Sequence, residues 1–203
     1  MRFLLSLLLL TGLATAVEPY VGLIAVQPLA SDMHSTYRLM PGVSLGVRIP
    51  RTGTLAFRVG AVGFSGSGSS GNQPLRLASA ALDLGVELRS RSALGAYIVP
   101  AILVGYAAER TPVADSVTHI ISDRWDSGTS LGFGLNGGAV IFKSSRLRLD
   151  AEAGYRFLSV PTDREQFEYL RYYPYYPSAI EASTFGVGLV LRFAPPEPDS
   201  GRE

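Results

Sequence analysis

From Ser183 to Phe193 the chain reads Ser-Thr-Phe-Gly-Val-Gly-Leu-Val-Leu-Arg-Phe, and the large apolar residues Phe185, Val187, Leu189, Leu191 and Phe193 fall on every second position. Between them stand Thr184, Gly186, Gly188 and Arg192, all small or polar, with Val190 the exception. Successive side chains of a strand point to opposite sides of a sheet, so this stretch reads as a β-strand with one greasy and one polar face. A tilted strand needs about 9 to 11 residues to cross a bilayer's hydrocarbon core, and membrane strands carry aromatic rings where that core ends. The stretch has that length and closes on Phe193. A membrane-spanning barrel is therefore the architecture to test along the rest of the chain.

The same alternation recurs. Leu147, Leu149, Ala151, Ala153, Tyr155 and Phe157 share one face of a strand whose other face carries Arg148, Asp150, Glu152, Gly154 and Arg156. Strands are also expected over residues 20–26, 42–49, 55–61, 82–88 and 131–141. Residues 94–107 form a further strand, apolar on both faces and interrupted by Pro100, so parity assigns neither side to lipid. Turns are expected at residues 50–53, 89–92 and 143–145, and long loops at 30–38, at the Gly- and Ser-rich 65–74, at the charged 109–127 and at 161–180. Eight strands joined by alternately long and short connections give an all-β, eight-stranded antiparallel up-and-down transmembrane β-barrel. Short turns then face the periplasm and long loops the exterior.

The flanks fit an exported protein. Arg2, the apolar run 3–10 and the small-x-small sequence Ala14-Thr15-Ala16 have the form of a secretory signal, so residues 1–16 are expected to be removed, leaving a barrel domain over 17–193 and a Pro-rich polar tail over 194–203. Of 18 basic residues the signal removes one, leaving 17 against 17 acidic residues, which gives no charge to attract nucleic acid. There is no cysteine, hence no disulfide, thiol metal site or thiol nucleophile.

Alternation alone also fits a secreted, lipocalin-like soluble barrel with its apolar face turned inward around an apolar ligand. Three features favour the membrane version. The polar faces are rich in glycine and the chain has a single lysine, Lys143, unlike a soluble surface. Tyr155, Phe157, Phe185 and Phe193 lie near strand ends on the apolar faces. The connections alternate in length.

With these features, and with its closing Gly-Leu-Val-Leu-Arg-Phe at 188–193, the chain resembles the small eight-stranded outer-membrane barrels of the type of outer-membrane protein A's transmembrane domain and outer-membrane protein X. The resemblance covers nearly all of the mature chain and is one of pattern. It implies localisation in the bacterial outer membrane and an assembly signal at Leu189, Leu191 and Phe193, read by the barrel-assembly machinery. Phe193 is followed by ten further residues, a departure from the simplest form of that signal.

On this reading Arg48, Arg58, Arg148, Arg156 and Arg192 face the interior with Asp83, Glu87, Asp150 and Glu152. Unpaired charges in so dry a lumen are too costly, so most should join one network that fills the barrel. The sharper alternative is a small ion-conducting pore. Tyr169, Tyr172, Tyr173, Tyr175 and Tyr176, interleaved with Arg171, Pro174 and Pro177, are candidates for contact with a glycan, a protein or lipopolysaccharide, or for packing at the interface. His34 lies beside Ser35 near Asp32, and His119 near Asp115 and Ser122, but neither spacing forms a catalytic or metal motif. No catalytic, cofactor-binding or metal residues are assigned. The functional expectation is a monomeric structural or adhesive surface protein, in contact with outer-membrane lipid and lipopolysaccharide and not an enzyme, with the small pore as second reading and a rim hydrolase or acyltransferase as third.

Overall fold

A computed structural model describes residues 17–29, 37–70, 73–92, 95–114, 121–161 and 179–193. Ten strands run through it: β1 Glu18–Pro28, β2 Met40–Pro50, β3 Leu55–Ser70, β4 Gln73–Arg89, β5 Tyr97–Ala114, β6 Ile121–Lys143, β7 Leu147–Phe157, β8 Ser159–Pro161, β9 Ala179–Glu181 and β10 Thr184–Phe193. Eight of them close a barrel in the order β1-β10-β7-β6-β5-β4-β3-β2, every neighbour antiparallel, while β8 and β9 pair separately. No described helix is long and apolar enough to cross a membrane.

β10 closes the ring between β1 and β7, with Leu23 opposite Leu189 on one side and Ala151 opposite Leu189 on the other. The alternation orients every strand the same way. Leu23, Leu45, Leu84, Ile102, Leu131 and Leu189 are among the exposed outward residues, with Leu23 at 71% and Leu131 at 72%. A soluble barrel would bury that face. The structure therefore excludes the inward-apolar alternative and shows a belt suited to lipid.

β5 acquires the sides that parity left open: Tyr97, Val99, Ala101 and Leu103 are buried inward, while Ile98, Ile102 and Val104 lie on the belt. The strand begins at Tyr97, three residues later than residue 94. Pro100 faces outward, where the β4–β5 ladder is interrupted between Gly85↔Ala101 and Leu88↔Ile98. The ring nitrogen of proline has no hydrogen to donate, so a gap in pairing beside it is the expected consequence. A second irregularity sits in β6, where the register on β7 slips between Val140 and Phe142. This β-bulge turns both Ile141 and Phe142 outward, ending the alternation one residue early.

Two expected loops are strands. Residues 65–74 belong mostly to β3 and β4, which pair as far as Ser70↔Gln73. Residues 109–127 belong mostly to β5 and β6, which pair as far as Ala114↔Ile121. In these segments backbone pairing persists although the sequence lacks the apolar alternation that marks a half-buried strand. Part of the expected loop 161–180 is also paired, in β8 and β9. The 23 residues of β6 amount to about 75 Å of strand at roughly 3.3 Å per residue, against a hydrocarbon core of about 30 Å. β3 to β6 thus rise as a wall beside the 10- and 11-residue strands β10, β1, β2 and β7.

Candidate functional site

The lumen is filled in layers. At the turn end, Glu87 of β4 is fully buried and accepts from three guanidinium groups: Arg48 Nε at 2.9 Å, Arg89 Nη2 at 2.9 Å and Arg192 Nη1 at 2.7 Å. Arg48 also donates to Glu18 at 3.0 Å. Arg192 Nε lies 2.7 Å from Asp150 Oδ2, close enough for an ion pair but not aligned as a hydrogen bond. These residues come from β1, β2, β4, β7 and β10, so the cluster ties opposite walls together.

The next layer toward the middle pairs Arg58 with Glu152. The Arg58 guanidinium carbon also lies 4.8 Å from the centre of the Tyr20 ring, and that of Arg192 4.7 Å from the centre of Tyr97. Cations over ring faces gain electrostatic attraction that increases on desolvation. Tyr20 fits because its register partners across β2 and β3 are Gly46 and Gly60. A Cβ at Gly46 would stand 2.6 Å from the Tyr20 hydroxyl, and one at Gly60 would collide with it.

Of the nine interior charges expected from the sequence, Arg48, Arg58, Glu87, Asp150, Glu152 and Arg192 stand in ion pairs within 4.0 Å. Asp83, Arg148 and Arg156 lie on the inward faces but form no such pair among the described residues, and Nε of both arginines is buried without a hydrogen-bond partner there. They are therefore two groupings, a cluster around Glu87 and a separate Arg58–Glu152 pair. Sequence reasoning missed Glu18, Tyr20, Arg89 and Tyr97. Glu18 and Tyr20 share the parity of buried Gly22 and Val26, which was the available signal. Arg89 was hidden in what read as a turn.

Above the charges the lumen becomes apolar. Val26, Tyr37, Met40, Phe64, Leu77, Ala107, Leu158, Val160, Ile180 and Ala182 form one buried cluster beneath the long-connection end. The β8–β9 pair folds over the inner face of β5 and β6, where glycines at 105, 128 and 132 leave room for Leu158 and Val160. From the other side, Tyr37 bridges to Gly68 of β3 and donates its hydroxyl proton to Glu109 Oε1 at 3.0 Å. Between the layers, a cavity lined by Val62, Ser79, Leu103, Arg156 and Thr184, among others, is open to a water's centre over only about 10 Å³, room for one water at most.

Aromatic rings mark both edges of the belt. Phe133 stacks on Phe157 at 5.2 Å and lies 6.4 Å from Tyr155, beside exposed Phe185. Phe57, Phe142 and Phe193 lie exposed near the turn end.

No protein-family model matches this sequence, and no curated protein matches it at significant similarity. The fold matches solved structures. The neisserial surface protein A superposes with a TM-score of 0.53 at 13% identity, covering 87% of this chain and 96% of that one. A major outer-membrane protein from Thermus thermophilus superposes with a TM-score of 0.51 at 15% identity, covering 88% and 100%. The chain has the fold of the small outer-membrane β-barrels. With its exposed apolar belt, this fold puts the protein in a bacterial outer membrane.

The expected leader at 1–16, the tail at 194–203, His34, His119 and the loop tyrosines Tyr169, Tyr172, Tyr173, Tyr175 and Tyr176 lie outside the described residues of the barrel. Leu189, Leu191 and Phe193 are on the belt side of its closing strand. Among the described residues no group of three or more His, Cys, Asp or Glu could hold a metal ion.

Proposed function

We propose that this protein is a closed, non-conducting outer-membrane barrel whose function is structural or adhesive and is carried by its exterior. The observation that supports this reading is the double filling of the lumen, charges around Glu87 below and the Tyr37–Leu158–Val160 apolar layer above. An eight-stranded barrel has an interior only about wide enough for side chains, and here large side chains occupy it. Reconstitution into planar bilayers tests the reading. The expected record has no stable single-channel steps, and long-lived conductance would establish the small pore instead.

The wall of β3 to β6 supplies an exposed surface standing clear of the membrane, with Trp125 57% exposed on it. That surface, with the tyrosines of residues 169–176, suits contact with lipopolysaccharide, a glycan or an extracellular protein. Replacing the five tyrosines by serine should weaken surface binding and leave heat-modifiable gel migration intact. Loss of that migration would assign the rings to packing. Leu189, Leu191 and Phe193 serve as the sequence read during assembly, and the reading includes no catalytic step.

A further inference from the structure

The three short turns of the periplasmic rim carry charge of one sign. Arg51 stands in the β2–β3 turn, Arg91 in the β4–β5 turn, and Lys143 and Arg146 flank the β6–β7 turn. All four are exposed, and no Asp or Glu occurs in residues 50–55, 88–97 or 142–147. Among the described residues none of the four makes an ion pair within 4.0 Å, although the lumen directly above them pairs its charges closely. The outer connections have the opposite balance: residues 29–39, 115–120 and 162–178 contain Asp32, Asp115, Asp163, Glu165 and Glu168 against Arg38, Arg164 and Arg171, five acids to three arginines. A rim needed only for solubility would mix the signs.

The cations also sit at the edge of the belt. The Arg51 guanidinium carbon is 5.4 Å from the centre of the exposed Phe57 ring. Lys143 directly follows exposed Phe142, and Arg146 directly precedes exposed Leu147. Phe57, Phe142 and Leu147, at the lower boundary of the belt, are thus each joined to a cation, which places Arg51, Lys143 and Arg146 at headgroup depth.

We propose that this rim binds the anionic headgroups of inner-leaflet phospholipids, so that the barrel carries a shell enriched in acidic lipid on its periplasmic side. A basic residue at an anionic membrane surface raises local association by about fivefold, and the attraction is screened over about 10 Å in 0.1 M salt. A soluble anionic partner would not require cations abutting the belt. The inference rests on the membrane barrel with periplasmic turns but not on a closed lumen.

The test is native mass spectrometry of the folded protein released from nanodiscs containing equal phosphatidylglycerol and phosphatidylethanolamine, with the R51S/R91S/K143S/R146S variant and an outer-wall control, R76S/R110S. Wild type and control should retain phosphatidylglycerol several-fold over phosphatidylethanolamine, and the quadruple variant or 0.5 M salt should abolish the preference. Equal retention of both lipids by wild type, or an undiminished preference in the quadruple variant, overturns the proposal. Loss of preference in the control alone moves the anionic-lipid contact to the outer end and overturns it too. Heat-modifiable migration is measured first: failure by wild type removes the barrel reading itself. If only the quadruple variant misfolds, R51S/R91S and K143S/R146S replace it, and each must lose part of the preference.

Discussion

Glu87 is one carboxylate facing Arg48, Arg89 and Arg192, and it is fully buried. Removing one partner of a buried ion pair costs about 3 to 5 kcal/mol because the other charge stays behind without compensation. Glu87→Ala should therefore lower stability by about that amount in urea unfolding from lipid vesicles. Asp83→Asn should cost under about 1 kcal/mol, since Asp83 forms no ion pair within 4.0 Å among the described residues. Equal losses would show that Glu87 is not the node. Gly60→Ala tests the neighbouring layer: its methyl would meet the Tyr20 hydroxyl and the Asp83 carboxylate, displacing Tyr20 from Arg58. Overpacking of this kind costs about 1 to 3 kcal/mol. That Arg48, Arg58, Glu87 and Arg192 share the polar faces was legible from parity, because one residue's shift reverses a strand's faces, while glycine-rich polar faces, strand-end aromatics and alternating connection lengths pointed those faces inward. Which charges would pair was not legible, since pairing depends on the relative height of residues on strands distant in sequence.

At the level of the strand, periodicity is legible only where the two faces meet different solvents. Residues 82–88 and 147–157 show it because one face meets lipid and the other a polar lumen. Residues 65–70 are all Ser or Gly and residues 121–127 include Asp123, Arg124 and Asp126, so neither stretch alternates apolar with polar, and their pairing in β3 and β6 was hidden for that reason. Residues 94–107 failed for another reason: the inner face of β5 is itself apolar, with Val99, Ala101 and Leu103 buried, so lipid and lumen positions look alike. The tall hairpin should be separable from the barrel. Arg110 and Trp125 are register partners, so replacing residues 111–124 by Asn-Gly gives a two-residue turn of the preferred kind. The shortened protein should still fold into vesicles and migrate faster before boiling than after. Failure to do so would make the wall part of the folding unit.

On the proposed reading the whole barrel is closed twice, by different physics. Around Glu87, charges from five strands neutralise one another, whereas Leu158 and Val160 stand in a buried cluster of apolar side chains. Two barriers stacked along one path behave as resistances in series, and opening the weaker leaves the stronger in control. Glu87→Ser with Arg192→Ser removes one acid and one base together and leaves Arg48 beside Glu18 and Arg89 beside Asp150, so no lone buried charge is stranded. Leu158→Ala with Val160→Ala thins the apolar layer. Each double variant alone should remain silent in planar bilayers, and the combined quadruple variant should conduct. If the Glu87–Arg192 variant conducts alone, the upper layer already passes ions and the charge network is the only barrier. If the Leu158–Val160 variant conducts alone, the paired charges permit ion passage and the apolar layer keeps the barrel shut.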